Sequence, residues 1–432
     1  MIYLSLAILF MTMLSGVPTG FAFLAACSVF LIDGVYTPDF MLPYGVSKVS
    51  AVVIFAVPLF IMAGSLIERG NIGDKLTELI SSLVGRIRGG MGIVTILSCA
   101  VFGSITGSAA ATLSCIGSIM FPKLEQNGFS KAYSASLMAN ASVLGLLIPP
   151  SGIMIIYSWV GGQSVLACFL ATIIPGIILT ILLSVINIFL LRNDKNIKVV
   201  TKDEAAQARR DFGPRFFRAI PALLLPVLVL GGIYSGAFTP TEAAAVSLLY
   251  AIPVGFFIYK GLTLKGLFEG FAESAMTTGA IIIMMLSVAI ISRFFTMEDL
   301  PGQLLRLMQA VSSDKLVMLL MINCFLVIMG MVMDDISAIL LCTPILIPIA
   351  IKIGVSPIQL AAIMGVNLGM GNITPPCAPL LYISSSINNA PINKMMRPAM
   401  AMIAFGWIPT LILTTYFPSV SLWLPRLILG IN

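Results

Sequence analysis

Two apolar segments of this chain carry adjacent prolines where a membrane helix would have its middle. The first reads Leu144-Gly145-Leu146-Leu147-Ile148-Pro149-Pro150 and the second Met370-Gly371-Asn372-Ile373-Thr374-Pro375-Pro376. A proline pair removes two backbone donors, and its rings oppose an unbroken helix. In hydrocarbon the freed carbonyls must find partners, so such breaks persist only inside protein or beside a cavity or an ion. Matching breaks in the two halves of a membrane chain point to a transport site near the bilayer midplane.

That the setting is a membrane follows from charge. Only 10% of the 432 residues are charged, 59% are hydrophobic and the mean hydropathy is +1.05. Soluble domains carry about 25% charged residues. Long apolar runs without alternation specify an all-α polytopic membrane protein. The net charge of +6 comes from Lys and Arg scattered among short loops, so it marks topology and implies no nucleic-acid partner. No histidine is present, which excludes a HExxH protease, a His-containing triad and a histidine proton relay. The seven cysteines lie in or beside apolar segments without paired spacing and read as packing residues. The start, Met1-Ile2-Tyr3-Leu4, lacks a basic n-region and reads as a retained first helix.

In chain order, Gly16 to Gly20 divides two short helices, roughly 2–16 and 19–35, and a helix follows near 49–67. A polar arm holding Arg86 and Arg88 leads into segment 91–121, interrupted at Phe102-Gly103-Ser104-Ile105-Thr106-Gly107-Ser108-Ala109-Ala110. Halves of about 10–14 residues are too short for a bilayer core of about 30 Å. The reading adopted is a re-entrant hairpin with a Gly/Ser/Thr tip; the alternative is one spanning helix with a small-residue packing face. The broken helix 131–160 and a helix at 165–191 come next. Loop 192–218, which includes Lys202, Arg209 and Arg210, is cytoplasmic by the positive-inside rule. Segments 219–233, 241–259 and 272–295 precede a second arm and a second interrupted segment, 316–348, whose tip holds Gly330, Asp334 and Asp335. The broken helix 357–385 and a hydrophobic region, 398–428, end the chain.

Sliding residues 122–158 by 226 positions aligns Pro122 with Pro348, Gly128 with Gly354, Ser130 with Ser356, Ala135 with Ala361, Met138 with Met364, Gly145 with Gly371, Pro149-Pro150 with Pro375-Pro376, and Ser158 with Ser384. The same register sets Ser108 opposite Asp334. Such self-similarity is an internal duplication. Counting crossings outward from loop 192–218 puts the base of the first hairpin inside and that of the second outside, with Lys260, Lys265, Lys394 and Arg397 inside. The repeats are therefore expected to be inverted, a transporter architecture. The expected organisation is scaffold helices (1–70), a first repeat of arm, hairpin and broken helix (71–191), a cytoplasmic loop (192–218), scaffold helices (219–295), the inverted second repeat (296–385) and a C-terminal helical region (386–432).

A broken helix offers free N–H groups from one half and free carbonyls from the other. Carbonyls with Ser, Thr and Asn oxygens make a hard cage for Na+, while helix N-termini favour an anionic group. The expected ion ligands are Gly103, Ser104, Thr106, Gly107, Asn140 and Gly145 in the first half, with Gly330, Asp335, Asn367, Gly371, Asn372 and Thr374 in the second. Ser108, Asp334, Ser158, Pro149 and Pro375 are the expected substrate residues. A carboxylate at mid-membrane costs about 2.5–3.5 kcal/mol even on the mild insertion scale, so at least one of Asp334 and Asp335 should face a cavity or partner. Glu242 and Glu273 fall near expected helix ends and read as interfacial. Arg293, Lys48 and Arg69 read as snorkelling cations.

Taken together, Met62-Ala63-Gly64, Gly103 to Ala110 and Ile148-Pro149-Pro150-Ser151, with Met331 to Asp335 and Gly371 to Pro376 in the second half, resemble the large (DctM-like) membrane subunit of tripartite ATP-independent periplasmic (TRAP) transporters. The resemblance covers essentially the whole chain. It implies an inverted-repeat, ion-transporter-superfamily fold of elevator type and Na+-coupled import of organic acids across the bacterial inner membrane. It also implies a periplasmic binding protein that delivers the substrate and a small four-helix membrane subunit. Because the chain opens directly on its first apolar helix, that subunit is expected to be a separate polypeptide. The family's substrates include C4-dicarboxylates and sialic acids, and overall likeness leans towards sialic acid. No Gly-rich loop ending in Gly-Lys-Ser/Thr occurs, so no ATP is expected to be used. Proton coupling through Asp334 or Asp335, and a re-entrant-hairpin channel, are the competing readings. An intramembrane enzyme lacks a nucleophile–base pair.

Overall fold

A computed structural model describes residues 1–32, 36–84, 89–198 and 212–430. Arg86, Arg88, Lys202, Arg209 and Arg210, on which part of the topology count rests, lie outside the described residues. Among those described there are helices and no strands. Eight helices among the described residues are long and apolar enough to cross a membrane, in keeping with an all-α polytopic membrane protein.

The first group comprises α1 (Ile2–Leu14), α2 (Thr19–Ile32), α3 (Met41–Val49), α4 (Ala56–Arg69) and α5 (Ile72–Val84). α6 (Gly90–Thr106) and α7 (Ala109–Gln126) form the first hairpin. These helices have 17 and 18 residues, longer than the pattern suggested. Helix α7 runs on through Pro122 to Gln126, so each arm comes close to the length that a bilayer core of about 30 Å requires. The broken helix consists of α8 (Lys131–Ser142), α9 (Leu144–Leu147) and α10 (Gly152–Gly161), bent by 43° at the prolines. Helix α11 (Val165–Leu191) follows.

In the second half, α12 (Phe212–Tyr234), α13 (Pro240–Pro253) and the long α14 (Leu264–Met297) precede α15 (Leu300–Val311). The second hairpin is α16 (Lys315–Val332) with α17 (Asp335–Lys352), and the second broken helix is α18 (Pro357–Gly371) with α19 (Pro379–Asn388). The C-terminal region is helical and broken once. α20 (Ile392–Met402) passes through a π-turn at Ile403–Trp407 into α21 (Ile408–Tyr416), and Phe417 leaves helical backbone before α22 (Pro418–Leu429). Pro418 disfavours the helical region for the residue before it, which accounts for that break.

The repeat register has local physical content. Gly128 and Gly354 both adopt positive φ, +84° and +71°, a backbone region that suits glycine. Two residues on, Ser130 and Ser356 both cap the next helix, accepting from the Tyr133 and Ile358 N–H groups at 3.3 Å. Each such cap is worth about 1 kcal/mol. Pro149-Pro150 and Pro375-Pro376 are both cis. Helix α14 packs along α2, α3 and α4, and also touches α17. The first hairpin packs on α8, α9 and α19, whereas α16 packs on α18. α19 of the second half thus lies against the first hairpin, and the Ser384 hydroxyl donates to the Ala135 carbonyl at 2.7 Å.

Candidate functional site

At the first tip, α6 ends at Thr106, Gly107 turns the chain at φ +63° and Ser108 caps α7, its hydroxyl accepting from the Ala111 N–H at 3.4 Å. The Thr112 hydroxyl donates to the Ser108 carbonyl at 2.7 Å and lies 3.1 Å from the Thr106 hydroxyl. The hairpin meets the helix break at two glycines. A Cβ on Gly145 would stand 3.1 Å from the Gly103 Cα, 2.9 Å from the Thr112 hydroxyl and 3.2 Å from the Ser108 carbonyl. The Gly107 carbonyl accepts from the Gly152 N–H at 3.4 Å, joining the tip to the helix beyond the prolines. Ser104 donates to the Val101 carbonyl at 2.7 Å within its own helix.

At the second tip the plan repeats with different atoms. Asp334 is the N-cap of α17, one carboxylate oxygen accepting from the Ile336 and Ser337 N–H groups at 3.2 and 3.1 Å and the other from the Ser337 hydroxyl. Asp335 accepts from the Asn372 side-chain amide at the break. Gly330 meets Gly371 as Gly103 meets Gly145: a Cβ on Gly330 would lie 3.2 Å from the Gly371 Cα and 2.9 Å from the Leu368 carbonyl. Thr374 donates to the Met370 carbonyl at 2.6 Å.

A cavity of about 420 Å³ joins these parts. Thr106, Gly107 and Ser108 line it from the first tip and Asp335 from the second, with Gly152 from beyond the break. The opposite wall is α4 and α14, including Gly64, Glu68, Glu273 and Thr277. Glu273 is therefore not a helix-end residue, since α14 begins nine residues before it, at Leu264. Glu242 does sit at a helix start, where it completes a capping box with Thr239. Arg69 has partners beyond solvent, pairing with Glu269 at 3.1 Å and Glu273 at 2.9 Å. Arg293 and Lys48 stand over the Tyr44 ring, 5.7 and 5.6 Å from its centre.

The expected site residues separate into groups. Thr106, Gly107, Ser108 and Asp335 reach the cavity, and Asn372 reaches it through Asp335. Gly103, Gly145, Gly330 and Gly371 mark the close approaches behind it. Asn140 is held deeper, its amide donating to the Ser136 carbonyl at 2.8 Å and its oxygen accepting from the Trp407 indole at 3.2 Å. Asn367 donates to the Asn323 side chain at 2.9 Å and the Ile363 carbonyl at 2.8 Å, while its own oxygen is buried without a partner. Ser158 is buried and bonded to the Ile155 carbonyl at 2.7 Å. It lies off the cavity wall, as do Pro149, Pro375, Thr374 and Asp334. Sequence reasoning missed Thr112, Glu68 and the site role of Glu273. Thr112 lies one turn after Ser108, a spacing at which a buried threonine can bond the cap's carbonyl.

Two hairpin tips and one interrupted helix around one cavity, with the second interrupted helix joined to it through Asn372 and Asp335, define a polytopic protein of transporter architecture. The fold resembles the crystal structure of the YdaH transporter from Alcanivorax borkumensis, described as having an unusual topology, with a TM-score of 0.60 and 12% identity over 89% of this chain and 90% of that one. Residues 6–420 match the family described as "Tripartite ATP-independent periplasmic transporter, DctM component". The chain belongs to that family. It is 34% identical to the C4-dicarboxylate TRAP transporter large permease protein DctM of Pseudomonas aeruginosa, over 86% of each chain. With the sialic acid TRAP transporter large permease protein SiaM of Vibrio cholerae it shares 33% identity over 96% of each. It is 32% identical, over 94% of its length, to the isethionate TRAP transporter permease protein DctMQ of Oleidesulfovibrio alaskensis, of which it spans 64%.

Proposed function

We propose that this chain is the large permease subunit of a Na+-coupled importer of organic anions, working by an elevator movement in the bacterial inner membrane. The observation that carries the reading is the single cavity shared by both hairpin tips and walled by α4 and α14. A substrate held there touches the tips on one side and scaffold helices on the other, so sliding one group past the other would carry it across the membrane. The repeats are taken as inverted, on the charge count given above.

Na+ is read as a co-transported cargo. The first tip supplies neutral oxygens, namely the Ser108 carbonyl with the Thr106 and Thr112 hydroxyls. The second supplies Asp335 beside Asn372, with no cationic partner for Asp335 among the described residues. Carbonyl and hydroxyl oxygens with one carboxylate make a hard-oxygen donor set of the kind interrupted membrane helices offer to Na+. Ser108 sits at the N-terminus of α7, where N–H groups and the helix dipole favour a carboxylate. Glu68 and Glu273 line the cavity, and Arg69 ties Glu273 to Glu269, which pairs in turn with Lys265, a residue the charge count places inside.

The three relatives named above are described for isethionate, C4-dicarboxylates and sialic acid. The substrate is accordingly an organic anion, with sialic acids and C4-dicarboxylates as leading candidates. Its delivery by a periplasmic binding protein, and completion of the scaffold by a separate small membrane subunit, are part of the same proposal. Uptake into proteoliposomes containing both membrane subunits and a substrate-loaded binding protein tests it. An inward Na+ gradient should drive accumulation of one of these anions. Accumulation driven equally by a proton gradient in Na+-free medium would replace Na+ with H+, a reading favoured by Asp335 having only a neutral partner.

A further inference from the structure

Away from the transport cavity, a second and wider cavity of about 650 Å³ opens where the N-terminus of α8, the C-terminus of α11 and the start of α20 converge. Three cations line it: Lys131, Lys394 and Arg397. Lys131 stands 3.8 Å from Glu125. Lys394 and Arg397 are exposed, and neither has an ion-pair partner among the described residues. One acid, Asp194, also lines the cavity and accepts from the Asn196 N–H at 3.0 Å. Helix α20 starts at Pro391 without a side-chain cap, so its first N–H groups and the positive end of its dipole add to the field.

What rises from this cavity is apolar. On α11 the exposed side chains Ile177, Ile181, Val185 and Phe189 succeed one another every four residues, ending beside the lining residue Leu190. On the other side Arg397 and Ala401 line the cavity, and the exposed Phe405, Ile408 and Ile412 continue along the same chain through the π-turn into α21. Helix α11 packs against that π-turn and against α21, meeting Gly406 through Leu179, Leu183 and Ile186, so each exposed stripe lies on the outer side of its own helix. The positive-inside rule asks only for basic residues near helix ends. It does not ask for three of them around one concave site from which exposed apolar stripes rise on two of the bordering helices.

We propose that this cavity seats the phosphate headgroup of an anionic phospholipid of the cytoplasmic leaflet, with its acyl chains along α11 and α21. The phosphate sits between Lys394, Arg397 and Lys131, a geometry that basic pockets between membrane helices offer to acidic headgroups. The cytoplasmic placement comes from the charge distribution and is independent of the substrate and coupling ion.

The test is lipid binding to the full-length protein purified in a neutral detergent, by titration with phosphatidylglycerol, phosphatidylcholine or glycerol phosphate. Phosphatidylglycerol should bind saturably, and phosphatidylcholine at least about tenfold more weakly. Glycerol phosphate, which has the headgroup but no chains, should bind far more weakly than the lipid. Replacing both exposed cations, Lys394→Ala with Arg397→Ala, should weaken phosphatidylglycerol binding about thirtyfold, at about 1 kcal/mol per interfacial cation. The thermal midpoint without lipid should not move. Lys131→Gln, on a different helix, provides a second variant with an expected loss of about fivefold. Unaltered phosphatidylglycerol affinity in these variants overturns the proposal. Glycerol phosphate binding as tightly as the lipid also overturns it, in favour of a soluble phosphate site.

Discussion

Ser108 and Asp334 occupy the same place in the two halves of the chain. Each sits in extended backbone between the helices of a hairpin, and each caps the second helix. Behind each tip a glycine of the hairpin lies against a glycine of the broken helix. The chemistry in front differs. The first tip offers hydroxyls and a carbonyl, the second a pair of adjacent carboxylates of which Asp335 faces the cavity. Duplication has kept the backbone plan, glycine contacts and caps included, while the tip side chains diverged into a neutral and an acidic set. The proposed coupling of an anion to Na+ would draw on both sets.

The shared plan is broken most severely at the glycine contacts. Gly145→Val would push a side chain against the Gly103 backbone, which cannot yield as a flexible side chain would, at a cost of about 3 kcal/mol. Loss of well-folded protein in size-exclusion and thermal-unfolding assays is the expected outcome, and Gly371→Val should behave alike, since its Cβ would stand 2.6 Å from the Gly330 Cα. A well-folded, active Gly145→Val protein would show that the hairpin does not dock on the break.

The next effect bears on the difference between the tips. Asp335→Ala leaves the Asn372 amide without its partner and removes the only carboxylate that a tip presents to the cavity. Losing a charge-assisted hydrogen bond costs about 1.5–3 kcal/mol, so uptake should fall about ten- to hundredfold with membrane insertion intact. Asp334→Ser, which gives the second tip the first tip's capping residue, should keep most of the uptake and shift the thermal midpoint little, because serine caps about as well as aspartate. If Asp334→Ser abolishes uptake in well-folded protein, the Asp334 charge itself takes part in transport. Ser108→Ala should cost about 1 kcal/mol through the lost cap, read as a few degrees in the midpoint together with weaker substrate uptake. Smallest of all, Arg69→Gln should change stability by less than about 1 kcal/mol, because its pairs with Glu269 and Glu273 are solvent-exposed.

The elements most readable in the sequence were those fixed by backbone chemistry. The proline pairs mark the breaks because proline opposes a helix regardless of its surroundings. Helix α11 was bounded at both ends by loss of apolar pattern, and the 226-residue register found the paired caps because serine and glycine carry local roles. Hairpin length was misjudged because Pro122, Lys123 and Glu125 resemble a helix end, yet they continue α7. Site membership was harder to see. Type and spacing single out Asn140 and Asn367 but do not record their contacts: Asn140 is tied to Trp407, and Asn367 donates to Asn323 while its own oxygen is buried without a partner. Glu273 was misplaced because its role depends on the scaffold wall it faces, and no local pattern records that.

The central claim is that the neutral tip and the acidic tip serve one ion-coupled site. The most direct test is the Na+ concentration giving half-maximal, binding-protein-dependent uptake, compared between the parent protein and two variants, Thr112→Val at the first tip and Asp335→Asn at the second. Both variants are expected to raise it, by about tenfold for Asp335→Asn and about threefold for Thr112→Val, in keeping with a charged and a neutral oxygen ligand. An unchanged Na+ dependence in both variants, with uptake retained, would contradict the central claim.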